Sequence, residues 1–387
     1  MGANKRVPEL RFRGFSGEWE EKKLEEIVDL CSGRDYKHLL DGNIPVYGTG
    51  GYMLSVNEAL SYDKNAIGIG RKGTINKPYV LKAPFWTVDT LFYAIPKKQN
   101  YLSFVYNIFQ KINWKQKDES TGVPSLSKVS INSIEIFSSK FDEQTKIGNY
   151  FQNLDKLIEQ KEKKYQKLGQ LKKAMLEKMF PKEGATTPEI RFKGFSGEWE
   201  EKGLDSISEQ ISYGLTVRPK YIEVGIPLIS ARELKNGNIN YNLAPKISIK
   251  SYNELSEKAK ARKGDIFLTK TGTVGLSAYV RENFPIAITQ NIAVIRVVNK
   301  QYNHQFILQT FKTQNFYKKS ISQVNQSTIM DLQLQDIRKL LISFPNKQEQ
   351  TKIANSLQKL DNLIDLQNQE LQKLKNIKKA SLAKMFV

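Results

Sequence analysis

The stretches PELRFRGFSGEWEEKKL (Pro8–Leu24) and PEIRFKGFSGEWEEKGL (Pro188–Leu204) decide how this chain is read. They agree at 14 of 17 positions across an offset of 180 residues. A repeat this close makes the chain two copies of one plan. A second pair extends it. EQTKIGNYFQNLDKLIEQKEKKYQKLGQLKKAMLEKMF (Glu143–Phe180) and EQTKIANSLQKLDNLIDLQNQELQKLKNIKKASLAKMF (Glu349–Phe386) align without a gap at an offset of 206. Each copy therefore runs phrase, variable block, long segment. The second variable block is 26 residues longer, the difference between the two offsets.

The long segments are predicted helices. Neither contains proline, and glycine occurs only at Gly148 and Gly169. Apolar residues step by three and four through Phe151, Leu154, Ile158, Tyr165, Leu168, Met175 and Met179. The second copy steps through Leu357, Leu360, Ile364, Leu371, Leu374 and Met385. That mean period of 3.5 is the coiled-coil period, and two matching stripes in one chain suit mutual packing. Lys161 and Gln367 take equivalent places on the seam, where a polar residue can fix register. A helix of this length extends roughly 57 Å, and Pro181 stops the first.

The variable blocks have the rhythm of short strands and turns. NAIGIG, PYVLKA and DTLFYAI in the first block are matched by GDIFLTK, LSAYV and NIAVIRVV in the second. Each block also carries one predicted helix, around Ser103–Lys111 and Gln305–Lys319. Mixed α/β domains of ordinary size are expected.

Composition bounds the function. The chain has 387 residues and a net charge of +20, so a polyanion is the favoured partner, nucleic acid before anionic membrane. The charge is uneven: 14 basic against 11 acidic residues in the first block, 19 against 10 in the second. Cys31 is the only cysteine, and His38 and His304 are the only histidines. An internal disulfide is therefore excluded, and neither a zinc site nor a histidine triad has a supporting motif. No apolar run suits a membrane span, and MGANKRVPEL lacks the apolar core of a secretion signal, so a cytoplasmic protein is expected.

The architecture resembles the specificity (S) subunit of type I restriction–modification systems. The resemblance rests on the duplicated RF.GF.GEWEE phrases, a SLSKVSINSIEI strand before DEQTKI, and helices ending KKAMLEKMF and KKASLAKMF. It implies two globular α/β target recognition domains separated by two long helices in an antiparallel coiled coil, related by a pseudo-twofold repeat. The expected division is a framework segment 1–24, a recognition domain 25–141, a spacer helix 142–180, a linker with repeated framework 181–204, a recognition domain 205–345 and a spacer helix 346–387. It further implies a non-catalytic subunit that reads a split, asymmetric double-stranded DNA site. Its partners would be two adenine-N6 methyltransferase subunits and, in the restriction complex, two ATP-dependent translocase–nuclease subunits. S-adenosylmethionine, ATP and magnesium would sit on those partners, and no cofactor or metal on this chain.

The residues agree with that division of labour. No Asn/Asp-Pro-Pro-aromatic segment and no G-x-x-x-x-G-K-[ST] loop occurs. Gly68, Gly70 and Gly73 fit G-x-G-x-x-G, but no helix pattern follows, so a tight turn exposing Arg71 and Lys72 is expected. Lys270, Thr271 and Thr273 match Arg71, Lys72 and Thr74 in the second block as a basic residue and hydroxyls beside glycine. Tyr47 and Thr49 lie in the glycine-rich PVYGTGGY, and Arg232 and Arg218 are candidate guanine readers. Asp89 and Thr90 of TVDT answer to Gln290 and Asn291 of TQNI: aspartate suits cytosine, glutamine and asparagine suit adenine. ESTGVPS (Glu119–Ser125) and the loop holding Gln326 and Ser327 offer hydroxyls for phosphate. Each feature is equally open to reading as a turn. Two other functions stay open at this stage, a nucleotide-binding enzyme using the glycine-rich loops and a basic coiled-coil scaffold without sequence recognition.

Overall fold

The computed structural model describes residues 6–118, 120–297, 299–323 and 330–387. It divides into two compact units, Met1–Lys163 with Asn368–Val387, and Lys164–Gln367. The division passes through both long helices.

Unit 1 contains β1 (Glu20–Lys23), β2 (Val28–Ser32), β3 (Asp41–Gly48), β4 (Gly51–Val56), β5 (Ala66–Gly70), β6 (Tyr79–Leu81), β7 (Trp86–Thr87), β8 (Leu91–Pro96), α1 (Leu102–Lys111) and β9 (Glu135–Ser138). The long helix α2 (Phe141–Lys178) follows. One sheet has the order β2-β8-β5-β6 and a second β4-β3-β7, with β1 paired to β9. Every residue of β5 is buried because it is an inner strand with α1 on one side, which is why its sequence does not alternate. Phe104, Val105, Ile108 and Phe109 of α1 fill the core against Ile67, Ile69 and Phe92.

Unit 2 repeats this topology with different residues. It contains β10 (Glu200–Gly203), β11 (Gln210–Tyr213), β12 (Ile226–Ile229), β13 (Lys246–Ile247), β14 (Lys260–Ala261), β15 (Ile266–Thr269), β16 (Ser277–Tyr279), β17 (Ile286–Ile288), β18 (Ile292–Arg296), α3 (His304–Phe311), α4 (Gln314–Ser322) and β19 (Leu341–Phe344). The second long helix is α5 (Lys347–Lys384). The sheets run β11-β18-β15-β16 and β13-β12-β17-β14, with β10 paired to β19. The parallel pair β3 with β7 of unit 1 returns as β12 with β17. The glycine that directly follows β2 and β11 is required in both. A Cβ on Gly33 would lie 2.0 Å from the Val88 carbonyl, and one on Gly214 would lie 1.9 Å from that of Ile288.

Two local expectations are corrected. The helix expected over Gln305–Lys319 is two helices, α3 and α4. Thr313 ends one and starts the other: its hydroxyl donates to Thr310 O at 2.7 Å and accepts from Phe316 N at 3.2 Å, the geometry of an N-cap. The strand expected throughout SLSKVSINSIEI is confined to β9. Before it, Ser127 accepts from Ser130 N at 3.0 Å and caps a short helix, Lys128–Asn132.

The repeated phrase is a clasp. Arg11 grips Glu143 with two hydrogen bonds of 2.6 and 2.8 Å, and Arg191 grips Glu349 with 2.6 and 2.7 Å. Both glutamates are almost wholly buried. The adjacent glutamines work alike: Gln144 accepts from Tyr101 N and Gln350 from Asn303 N, both at 2.9 Å, fixing the starts of α1 and α3. Trp19 and Trp199 pack against the ends of the long segments. Trp19 meets Phe386, with ring centres 5.9 Å apart, and Trp199 meets Phe180 at 6.0 Å.

The long helices pair antiparallel. In unit 1, Phe151 and Leu154 are buried with Leu371, while Ile158 and Leu374 are half-buried. Asp155 pairs with Lys378 and Glu162 with Lys375, each at 2.6 Å, so numbers rise along α2 as they fall along α5. Lys161 of the seam pairs with Glu370. In unit 2, Leu357 and Leu360 are buried, with Tyr165, Leu168, Met175 and Ile364 half-buried. Lys172 pairs there with Asp361, the repeat image of the Asp155–Lys378 pair.

Candidate nucleic-acid interface

In unit 1 the candidate residues converge on one end of the two sheets. β5 ends at Gly70, where a Cβ would lie 2.2 Å from the Thr74 carbonyl, and Gly73 follows at φ +91°. The chain thus turns back toward β6 without a helix, and the glycine triplet forms a hairpin turn. Arg71 N and Lys72 N both donate to Thr90 O, at 2.8 and 3.3 Å. Gly73 N donates to Pro124 O and Leu126 N to Arg71 O, both at 2.8 Å. Two neighbouring loops therefore fix this turn, while the Arg71 and Lys72 side chains stand exposed. Arg71 also covers the Phe92 ring, its guanidinium carbon 5.8 Å from the ring centre.

The glycine-rich loop adjoins the same turn. Thr49 Oγ1 lies 4.0 Å from where a Cβ on Gly73 would stand. Tyr47 is seated between Tyr52 and Tyr79, with ring centres 6.4 and 6.1 Å apart. Tyr79 donates to Gly48 O at 2.6 Å, and burial together with Tyr47 pushes its phenol well above the ordinary range, so it remains a donor. Val88 N donates to Tyr47 O at 3.0 Å, which brings Asp89 and Thr90 alongside. Tyr47, Thr49, Arg71, Lys72, Thr74, Asp89 and Thr90 thus share one rim. Ser120–Ser125 of the ESTGVPS loop border it, Glu119 lying outside the described residues: Asp118 accepts from Ser120 and Ser125, and Lys72 bridges to Ser125.

In unit 2 the equivalent end is excavated. A cavity of about 820 Å³ is lined by Arg218, Arg232, Gln290 and Asn291 among others. A second of about 460 Å³ lies beside it, with Lys270 and Thr271 on its wall. Thr216 and Gln290 line both. The backbone at Arg232 is held by its neighbours. Ser230 Oγ accepts from Arg232 N, and the buried Glu233 carboxylate accepts from Ser230 N and Oγ at 2.7 Å. Arg218 and Arg232 are exposed.

Lys270 is placed differently from Arg71. It is only 9% exposed, and its ammonium bonds Asp331 at 2.7 Å, with Thr271 donating to the same carboxylate. Burial works to raise the Asp331 carboxyl, but Lys270 and Thr271 outweigh it and hold it below the ordinary value. Lys270 and Thr271 therefore latch the turn after β15 to the segment before Leu334, whereas Thr273 stands exposed at the tip. Asn291 is likewise occupied, its side-chain oxygen accepting from Thr289 Oγ1. Gln326 and Ser327 lie outside the described residues.

The model for the "type I restriction modification DNA specificity domain" family matches residues 16–170 and 197–376. The chain belongs to this family. Specificity subunits are also the relatives found by sequence. The type I restriction enzyme EcoBI specificity subunit of Escherichia coli is 26% identical over 200 residues, 49% of this chain and 41% of that protein. The MjaVIII specificity subunit of Methanocaldococcus jannaschii is 23% identical over 331 residues, 81% of this chain and 73% of that protein. The chain thus spans less than half the length of the first and most of the second. In fold it is similar to the type I restriction–modification S subunit from M. genitalium, with a TM-score of 0.72 and 16% identity over 98% of this chain and 99% of that one. A chain from a study of complex assembly and conformational transition of the type I R-M system gives 0.52 at 15% identity, covering 95% and 97%.

In this specificity subunit two rim residues escaped the sequence reading. Arg34 follows Gly33 and is exposed, its backbone N donating to Thr87 O at 2.8 Å beside Asp89. Thr216, two residues after Gly214, lines both cavities of unit 2. The signal available was a glycine directly after a strand, once in each block.

Proposed function

We propose that the chain reads a bipartite, asymmetric DNA site, one half per unit, and directs adenine-N6 methyltransferase subunits to it. In the restriction complex it would also direct ATP-dependent translocase–nuclease subunits. The chain itself carries out no chemistry in this reading. The observation that supports it most is one topology built twice, with different side chains at the same end of the sheets. Unit 1 offers Arg71, Lys72 and Asp89 there, and unit 2 offers Arg218, Arg232 and Gln290. A reader of two unlike half-sites needs a common frame and unlike rims.

The exposed cations would neutralise phosphates, and the rim polar groups would meet base edges. Half-sites on one face of a duplex repeat about every 34 Å, and helices of 38 residues are long enough to span that distance. The long helices are accordingly assigned the spacer role.

The test is methylome mapping in cells with and without this chain, then with residues 25–141 exchanged for those of a relative that has another target. One split motif should appear with the chain, and the exchange should alter one half only. Methylation that ignores the chain, or an exchange that alters both halves, overturns the reading.

A further inference from the structure

Among the described residues of unit 2 some polar groups at the rim are occupied and others are free, and the hydrogen bonds separate them. Lys270 and Thr271 are spent on Asp331, Glu233 on Ser230, and Asn291 on Thr289. Gln290 is exposed, and its amide has no hydrogen-bond partner among the described residues. Its backbone is nevertheless held firmly. Gln290 N donates to Leu215 O at 2.9 Å, Thr289 N donates to Ile229 O at 2.9 Å, and Asn291 O accepts from Lys270 N at 2.9 Å. The side chain stands on the wall shared by the two cavities. A free carboxamide on a fixed backbone is what base recognition requires.

We propose that Gln290 reads an adenine in the half-site of unit 2, and that Thr289 and Asn291 are positioning residues that brace it. A carboxamide can accept from adenine N6 and donate to N7 together, a pairing no other base offers in the major groove. Arginines 218 and 232 have donors only and suit guanine or phosphate. This inference rests on the DNA-reading function proposed above and adds the base and the residue.

The experiment uses the full chain with its methyltransferase partners. Motifs are mapped for wild type, Gln290→Ala, Gln290→Glu and Asn291→Ala, and binding is measured on duplexes changed one pair at a time. Gln290→Ala should lose between about 5- and 150-fold discrimination at one A·T pair of the unit 2 half-site. The other half-site should stay unchanged, as should the melting temperature. Gln290→Glu should move preference at that pair toward cytosine, because a carboxylate accepts from cytosine N4. Asn291→Ala should blunt the same position less, without selecting another base. A Gln290→Ala motif identical to wild type overturns the proposal, and so does relaxation at a G·C pair. If wild type gives no split motif at all, it is the broader reading that fails.

Discussion

Trp19 stands edge-on to Phe386, with ring centres 5.9 Å apart and planes at 88°. The repeated phrase that begins one copy is thereby closed by the helix end of the other. Phe386 also faces Phe104 and Phe151, so it fills the centre of unit 1. Phe386→Ala should destabilise unit 1 by about 3–5 kcal/mol, the usual cost of emptying a buried phenylalanine site. Urea unfolding followed by tryptophan fluorescence checks this, and Phe180→Ala should strike unit 2 in the same way.

The Arg11–Glu143 clasp predicts a non-additive pair. Arg11→Ala leaves a carboxylate that is 2% exposed without its partner, at a cost of about 3–5 kcal/mol. Replacing both residues by apolar ones of similar size should recover most of that loss. Calorimetric melting of the two single variants and the double variant decides it. Equal losses in single and double variants would show that the charge pairing is not the cause.

Asp361 predicts a pH dependence. Lys172, Lys312 and Gln309 all donate to it, the last two at 3.0 Å. Burial pushes its carboxyl up, but Lys312, Lys172 and Gln309 outweigh burial and hold it below the ordinary value. A group with a lower pKa folded than unfolded gives stability that is complete above its unfolded pKa. That stability is lost as pH falls through the folded value. The melting temperature of the wild type should therefore drop more steeply below about pH 3.9 than that of Asp361→Asn. Parallel profiles would contradict this.

Arg71 and Lys72 should act on affinity rather than choice of sequence. Replacing either by alanine should weaken binding to all duplexes and reduce the salt slope by about 0.9 for each phosphate contact removed. Titrations at several salt concentrations on cognate and unrelated DNA measure both. A change confined to cognate DNA would instead make that residue a base reader.

The spacer role predicts that the gap between half-sites follows helix length. Matched heptad insertions near Lys163 and Gln367 should lengthen the unspecified gap by on the order of one to three base pairs and leave both half-sites unchanged. Methylome mapping reads the gap directly.

The duplicated frame was legible because it is written twice. Arg11, Trp19, Glu143 and Gln144 reappear as Arg191, Trp199, Glu349 and Gln350, and repetition separates signal from chance. The seam residues were legible through their period. The shared topology of the variable blocks was not, since buried inner strands such as β5 and β15 carry apolar runs without a register mark. Nor did residue type tell which rim groups are free. Lys270 and Arg71 occupy matching places in the sequence, yet Asp331 claims the first, and that pairing is set by a residue 61 positions away. The break at Thr313 was hidden because a threonine within an amphipathic run looks like any helix residue until its hydroxyl finds a backbone partner.

The helix exchange between copies also sets an order of assembly during synthesis. Unit 2 is one continuous stretch, Lys164–Gln367, and everything in its core has been made once that stretch has emerged. Unit 1 needs Met385 and Phe386 in one core with Trp19 and Phe104, so that core stays unfilled until the ribosome has passed residue 386. The half made first is therefore the half completed last.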